Sequence, residues 1–238
     1  MRRIGRVLQL PVDDYLAALQ AAVPRASVVP VLAIVVAAAV SWWIYVPIHE
    51  LCHAFGCLWT GGEVTRLEID PIYGAALLQK FFPFVSVGSA YAGQLTGFDT
   101  HGNDLTYLAT DGAPFLLSVL VGVPLLRAAA SRRTPLRAAL CLGVALPLAY
   151  APFISVAGDY YEMGSILVSR MVAVWNPAVP LSRWRSDDAL KLASQLFGAA
   201  GGGGLADAAG MLAASFVGIV LIFLTYWLGT RWSRLIMG

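Results

Sequence analysis

Charge is what this sequence has least of. Only 13% of its 238 residues are Asp, Glu, Lys or Arg, against 58% hydrophobic residues and a mean hydropathy of +0.71. Soluble domains carry about 25% charged residues, so the composition is that of an integral membrane protein. The net charge of +2 is too small to draw a phosphate backbone, and no nucleic-acid partner is expected. Cysteine is sparse as well. Cys52, Cys57 and Cys141 form no C-x-x-C pair, and a helical cysteine of this kind serves more often as a small apolar filler than as a ligand or disulfide half. The first strong apolar run starts near Val28 and is long enough to span a bilayer, so we read it as a membrane helix rather than a cleavable leader.

Histidine is nearly absent too: the chain has three, His49, His53 and His101. Two of them stand in Pro47-Ile48-His49-Glu50-Leu51-Cys52-His53, an H-E-x-x-H motif at the end of that first apolar run. On a helix His49 and His53 share a face, about 6 Å apart along the axis, a spacing that suits two ligands of one Zn²⁺. Glu50, next to the first ligand but not itself one, is placed to act as general base in peptide hydrolysis. Typical residue usage produces the motif by chance in roughly one chain in a hundred of this length. Ionisable groups at a membrane edge are costly and usually functional.

In chain order, residues 1–27 begin with Arg2, Arg3 and Arg6, and Tyr15, Leu16, Leu19 and Val23 then recur at helical spacing, which predicts an amphipathic helix on the membrane surface. Val28 to Ile48 carries no charge, and its Trp42, Trp43 and Tyr45 resemble an interfacial belt. Gly61 to Asp70 alternates Thr65, Leu67 and Ile69 with charged neighbours, a strand signal after a glycine turn. Ala75 to Val87 holds Lys80 and Pro83 and reads as strand or re-entrant loop, and Gly97 to Asp104 as a turn-rich loop. Tyr107 to Leu126 and Ala138 to Ala157 are the second and third spans, the latter with Pro147 and Pro152. Ile166 to Trp175 reads as a half-buried helix, with a fifth span as the alternative. Asp187 and Asp188 open an amphipathic helix, Gly201 to Gly204 is a hinge, and Ala208 to Thr230 is the last span. The expected organisation is an N-terminal segment 1–27, a membrane core 28–176, an interfacial helix with hinge 177–207, and a C-terminal span 208–238.

Basic residues gather at the N-terminus, in Arg127 to Arg137 and at the C-terminus, whereas 55–106 is net acidic. The positive-inside rule then puts both termini in the cytoplasm, as for a bacterial inner-membrane protein. With four spans, the ends that carry His49, His53, Asp111 and Asp159 fall on one side. A catalytic zinc needs a third protein ligand. The residues leave Asp159, Asp111, Glu162 and His101 as candidates, with Asp111 alternatively holding a histidine through a hydrogen bond.

These motifs resemble the site-2 protease family of intramembrane zinc metalloproteases. His49-Glu50-Leu-Cys-His53 lies on an early membrane helix and Gly62-Glu-Val64-Thr-Arg-Leu67-Glu-Ile69 is similar to the glycine-led strand that follows the family's motif. Gly112-Ala-Pro114 is similar to its Gly-Pro element, and Pro152 with Gly158-Asp159 and Gly164-Ser-Ile-Leu to its Pro-rich Leu-Asp-Gly segment. The resemblance covers about residues 30 to 170. It implies that His49, His53 and Asp159 bind zinc, that Glu50 is the general base, and that the strands after the motif receive a substrate segment as an added strand. The expected function is an intramembrane zinc endopeptidase acting on membrane-spanning or membrane-proximal segments, with membrane proteins and the lipid bilayer as partners. The alternative is a catalytically silent protease-like subunit of a larger membrane complex.

Overall fold

A computed structural model describes residues 2–24 and 27–237, the side chains of 2–4 aside, so the Arg2 and Arg3 side chains lie outside the described residues. The chain is mostly helical (74%), with a small three-stranded sheet. Among the described residues, four helices are long and apolar enough to cross a membrane: Val28–Trp59, Asp104–Ala130, Pro135–Ala157 and Leu205–Met237. It divides into two compact units, Met1–Ala151 with Thr225–Gly238, and Pro152–Leu224.

In the first unit, helix α1 (Arg2–Ala22) forms where the helical spacing expects it, and Ala18 and Ala22 are fully buried. The Arg127 guanidinium donates to both carboxylate oxygens of Asp14 on this helix, at 2.9 and 3.0 Å. Helix α2 (Val28–Trp59) runs unbroken through the apolar stretch and the H-E-x-x-H motif. It ends where Gly61 turns the chain back into strand β1 (Glu63–Ile69). Seven residues of β1 cover roughly 23 Å, close to the ~24 Å of helix between Trp59 and Trp43. The chain has therefore returned along α2 by the time it reaches residues 71–73, where Trp43 Nε1 donates to the Ile72 carbonyl at 2.6 Å and Trp42 Nε1 to the Tyr73 hydroxyl at 3.4 Å. These tryptophans, read from sequence as an interfacial belt, anchor this returning segment.

Residues 70–84 make the crossover that a parallel strand pair requires. They contain a 3₁₀ turn at Pro71–Tyr73 and the one-turn helix α3 (Ala75–Leu78), with Ile72, Leu77 and Phe81 exposed. Strand β2 (Val85–Val87) pairs parallel to β1, and β3 (Gly93–Asp99) pairs antiparallel on its other side, giving the order β2-β1-β3. The sequence pattern predicts a loop over Gly97 to Asp104, whereas β3 extends to Asp99. Two glycines hide the strand from pattern reading, and its pairing with β1 supplies the order. Leu67, Ile69 and Val85 pack on Leu51 and Ala54 of α2, so the sheet lies on the helix that carries the motif.

Helix α4 (Asp104–Gly112), a 3₁₀ turn at Ala113–Phe115, a π-helical turn at Ser118–Gly122 and α5 (Val123–Ala130) follow without a gap. Pro124 has no N–H for the Leu120 carbonyl, which accepts from Trp232 Nε1 at 3.3 Å instead. Helix α6 (Pro135–Ile154) lies against α2, where the Ser41 hydroxyl donates to the Val144 carbonyl at 2.9 Å.

In the second unit, α7 (Asp159–Trp175) begins after Gly158, seven residues before the start read from sequence, and is not among the helices long enough to span. Tyr161, Val168, Trp184, Met211 and Ala214 form its core. Helix α8 (Ala189–Phe197) is capped as expected: the Asp188 carboxylate accepts from the N–H groups of Leu190 and Lys191, both at 2.9 Å. At the start of α9 (Leu205–Met237), Asp207 accepts from Arg183 Nε at 2.6 Å and from the Gly204 N–H at 3.0 Å.

Candidate metal centre

The helical period alone sorts the motif. His49, His53 and Gly56 fall on one face of α2, Leu51 and Phe55 turn to the sheet, and Glu50 and Ala54 lie between. Gly56 decides how close the next helix comes. A Cβ there would collide with the Ala109 carbonyl and sit 2.7 Å from the Ala113 Cβ, so only glycine lets α4 cross α2 at this depth. That crossing brings the Thr110 carbonyl to 2.8 Å from His53 Nδ1.

A carbonyl only accepts, so His53 carries its proton on Nδ1 and offers a bare Nε2. His53 is buried, at 7% exposure. His49 Nδ1 meets the Tyr45 hydroxyl one turn back along α2, at 2.5 Å, and its ring lies edge-on to Phe115. The two Nε2 atoms then face each other 3.2 Å apart. Two nitrogens bound at 2.0–2.1 Å to one tetrahedral ion stand about 3.3 Å from each other. The spacing is that of two nitrogens on one tetrahedral metal ion such as zinc, and the Thr110 carbonyl sets His53 in the ligating tautomer, while the Tyr45 hydroxyl is able either to accept from or to donate to His49 Nδ1. The same groups also close without metal, as a chain from the Tyr45 hydroxyl to His49 Nδ1 and from His49 Nε2–H to His53 Nε2.

Glu50 is half-buried, and its side chain lies under Gly93, the first residue of β3. Asp111 is buried at 4% exposure one residue beyond Thr110. The group on His53 Nδ1 is the Thr110 backbone carbonyl. His101 sits beyond the other end of β3, about 20 Å along the strand from Gly93. It has φ of 52° and lies beside Asp99 at 3.4 Å and Glu63 at 3.8 Å on the surface, apart from the motif.

Asp159 and Glu162 belong to the second unit. Asp159 opens α7, and its Oδ2 accepts the Ser155 hydroxyl at 2.6 Å, while its own N–H donates to Ser155 Oγ at 3.2 Å. That pair of bonds fixes the carboxylate's direction. Glu162 is buried one turn on, its N–H donating to the Gly158 carbonyl at 2.9 Å.

Tyr45 and Thr110 were not among the sequence candidates. Tyr45 had a signal, since Tyr45, His49 and His53 recur every four residues on one face. Thr110 had none, because it acts through its backbone. Comparison of the chain with protein-family models, with curated proteins and with solved structures gave no match, so the functional reading rests on the chemistry of these residues.

Proposed function

We propose that the protein is a membrane-embedded zinc endopeptidase of the site-2 protease kind, with His49 and His53 as ligands, Asp159 as the third, and Glu50 as general base. The observation that carries the reading is the pair of Nε2 atoms 3.2 Å apart, with the Thr110 carbonyl and the Tyr45 hydroxyl on the opposite nitrogens. Four long apolar helices support insertion in a bilayer. Zinc, when bound, would act as a Lewis acid on the scissile carbonyl.

The chain's own residues do the rest. The Thr110 carbonyl keeps the His53 imidazole in the ligating tautomer, and with metal bound the Tyr45 hydroxyl would accept from His49 Nδ1–H. Glu50 takes a proton from the attacking water and returns it to the leaving amine nitrogen. A membrane helix hides its carbonyls in its own hydrogen bonds, so a substrate must be unwound, and an edge of the β2-β1-β3 sheet offers the released backbone new partners. A second reading, a silent protease-like subunit, draws on the metal-free chain that the same groups can form.

Metal content by mass spectrometry and cleavage of a single-span peptide carrying a fluorophore and quencher, compared between the native chain and Glu50→Gln, separate the readings. We expect one zinc per chain in both, and a rate at least ~100-fold lower in the variant. A native chain without zinc, or equal cleavage by both, overturns the protease reading. In the same assay Asp159→Ala should purify without zinc and Asp111→Ala should keep it; the reverse result moves the third ligand to Asp111.

A further inference from the structure

Gly93 stands where strand β3 begins, paired with Ile69 at the end of the sheet that lies on α2. Its backbone takes a conformation open to any residue, unlike Gly88, whose φ of +109° favours glycine and whose Cβ position meets nothing within 4 Å. Space, not conformation, restricts position 93. A Cβ there would collide with Glu50 Cγ and lie 2.7 Å from its Cδ and 3.2 Å from Oε1. All three nearest atoms belong to that one side chain.

We infer that Gly93 is a positioning residue for Glu50: its missing side chain leaves the slot in which the carboxylate lies, and the strand backbone above it sets the carboxylate's direction. Glu50 has three rotatable bonds and would otherwise sample several rotamers. Alanine at 93 would push the stem out of its slot, because the glutamate side chain gives way before the paired strand does. A displacement of about 1 Å at a catalytic group costs up to about 100-fold in rate. The inference rests on the proposed base role of Glu50 for its rate effect, while the packing effect stands without it.

The test uses the full chain in detergent. We expect Gly93→Ala to keep its zinc, to lower kcat on the fluorophore–quencher peptide by about 10- to 100-fold, and to leave KM within about 2-fold, since uniform binding is untouched. Its thermal midpoint should fall by roughly 2–6 °C, and most of that fall should vanish when Glu50→Ala has emptied the slot. Gly97→Ala is the control: its Cβ would meet Thr65 Oγ1 at 2.5 Å and the Arg66 nitrogen at 2.8 Å, within the sheet, so its loss should be equal in both backgrounds. A fall at Gly93→Ala that persists unchanged beside Glu50→Ala, or a kcat equal to native, overturns the inference. If the coupling is present but the native chain cleaves nothing, the packing of Gly93 on Glu50 is upheld and the protease reading falls.

Discussion

The first unit holds two polar clusters among apolar helices, built on opposite principles. At Asp14, a carboxylate meets the Arg127 guanidinium through two bonds and the Tyr226 hydroxyl at 3.2 Å, while the Tyr150 hydroxyl donates to the Pro11 carbonyl at 2.6 Å. Opposite charges are matched there, and the cluster ties α1 to α5, α6 and α9. At His49 and His53 the two rings meet each other, the Tyr45 hydroxyl and the Thr110 carbonyl. Two nitrogens of the same kind are aimed at each other, and each ring's other nitrogen is already engaged. The first arrangement pairs a cation with an anion, whereas the second sets two ring nitrogens 3.2 Å apart, a spacing that holds one proton or one cation. That difference is why we propose the second cluster, and not the first, as the site.

The largest expected effect falls on the second cluster. His53→Ala should lose bound zinc entirely, measured by mass spectrometry, while Arg127→Met should keep it. Loss of metal from both would erase the distinction. Next, Arg127→Met removes the counter-charge of Asp14. The pair is partly buried, at 22% and 15% side-chain exposure. The cost should thus be on the order of 2 kcal/mol in denaturant unfolding, below the value for a fully buried pair. A third change sharpens the metal reading: Tyr45→Phe removes the oxygen on His49 Nδ1 and should weaken zinc by about 10- to 100-fold in competition with a chelator. Unchanged affinity would mean that the hydroxyl serves the metal-free chain only.

The smallest effect concerns Asp14→Asn, which keeps shape and removes charge. Burial pushes the Asp14 carboxyl above its ordinary value of 3.8, with the Arg127 guanidinium pulling it back. A raised folded value means that the folded chain holds the proton more tightly. The stability due to this group is therefore present below pH 3.8 and declines as pH rises through the folded value. Asp14→Asn should flatten the stability profile over that interval and cost less than Arg127→Met. A larger loss in Asp14→Asn would show that the charge pair outweighs its burial.

Much of this was legible from the residues in order. The apolar runs locate the four long helices because helix length and apolar content are local properties. The period of 3.6 places His49 and His53 on one face before any neighbour is known. Asp188 before Ala189 announces a helix start, since its carboxylate caps groups only two and three residues away. Strand β3 was not legible. Its Gly93 and Gly97 weaken the alternation, and its order comes from a partner strand earlier in the chain.

By itself, then, the sequence determined the apolar class of the chain, its long helices and the spacing of two imidazoles beside a carboxylate, all of which follow from contacts within a few residues. Only the tertiary structure decided which nitrogen of His53 is bare and what lies over Glu50. The Thr110 carbonyl is a backbone group that every residue possesses, and the slot at Gly93 is defined by an absent side chain. Neither leaves a mark in a one-dimensional pattern until α4 crosses Gly56 and β3 settles on α2.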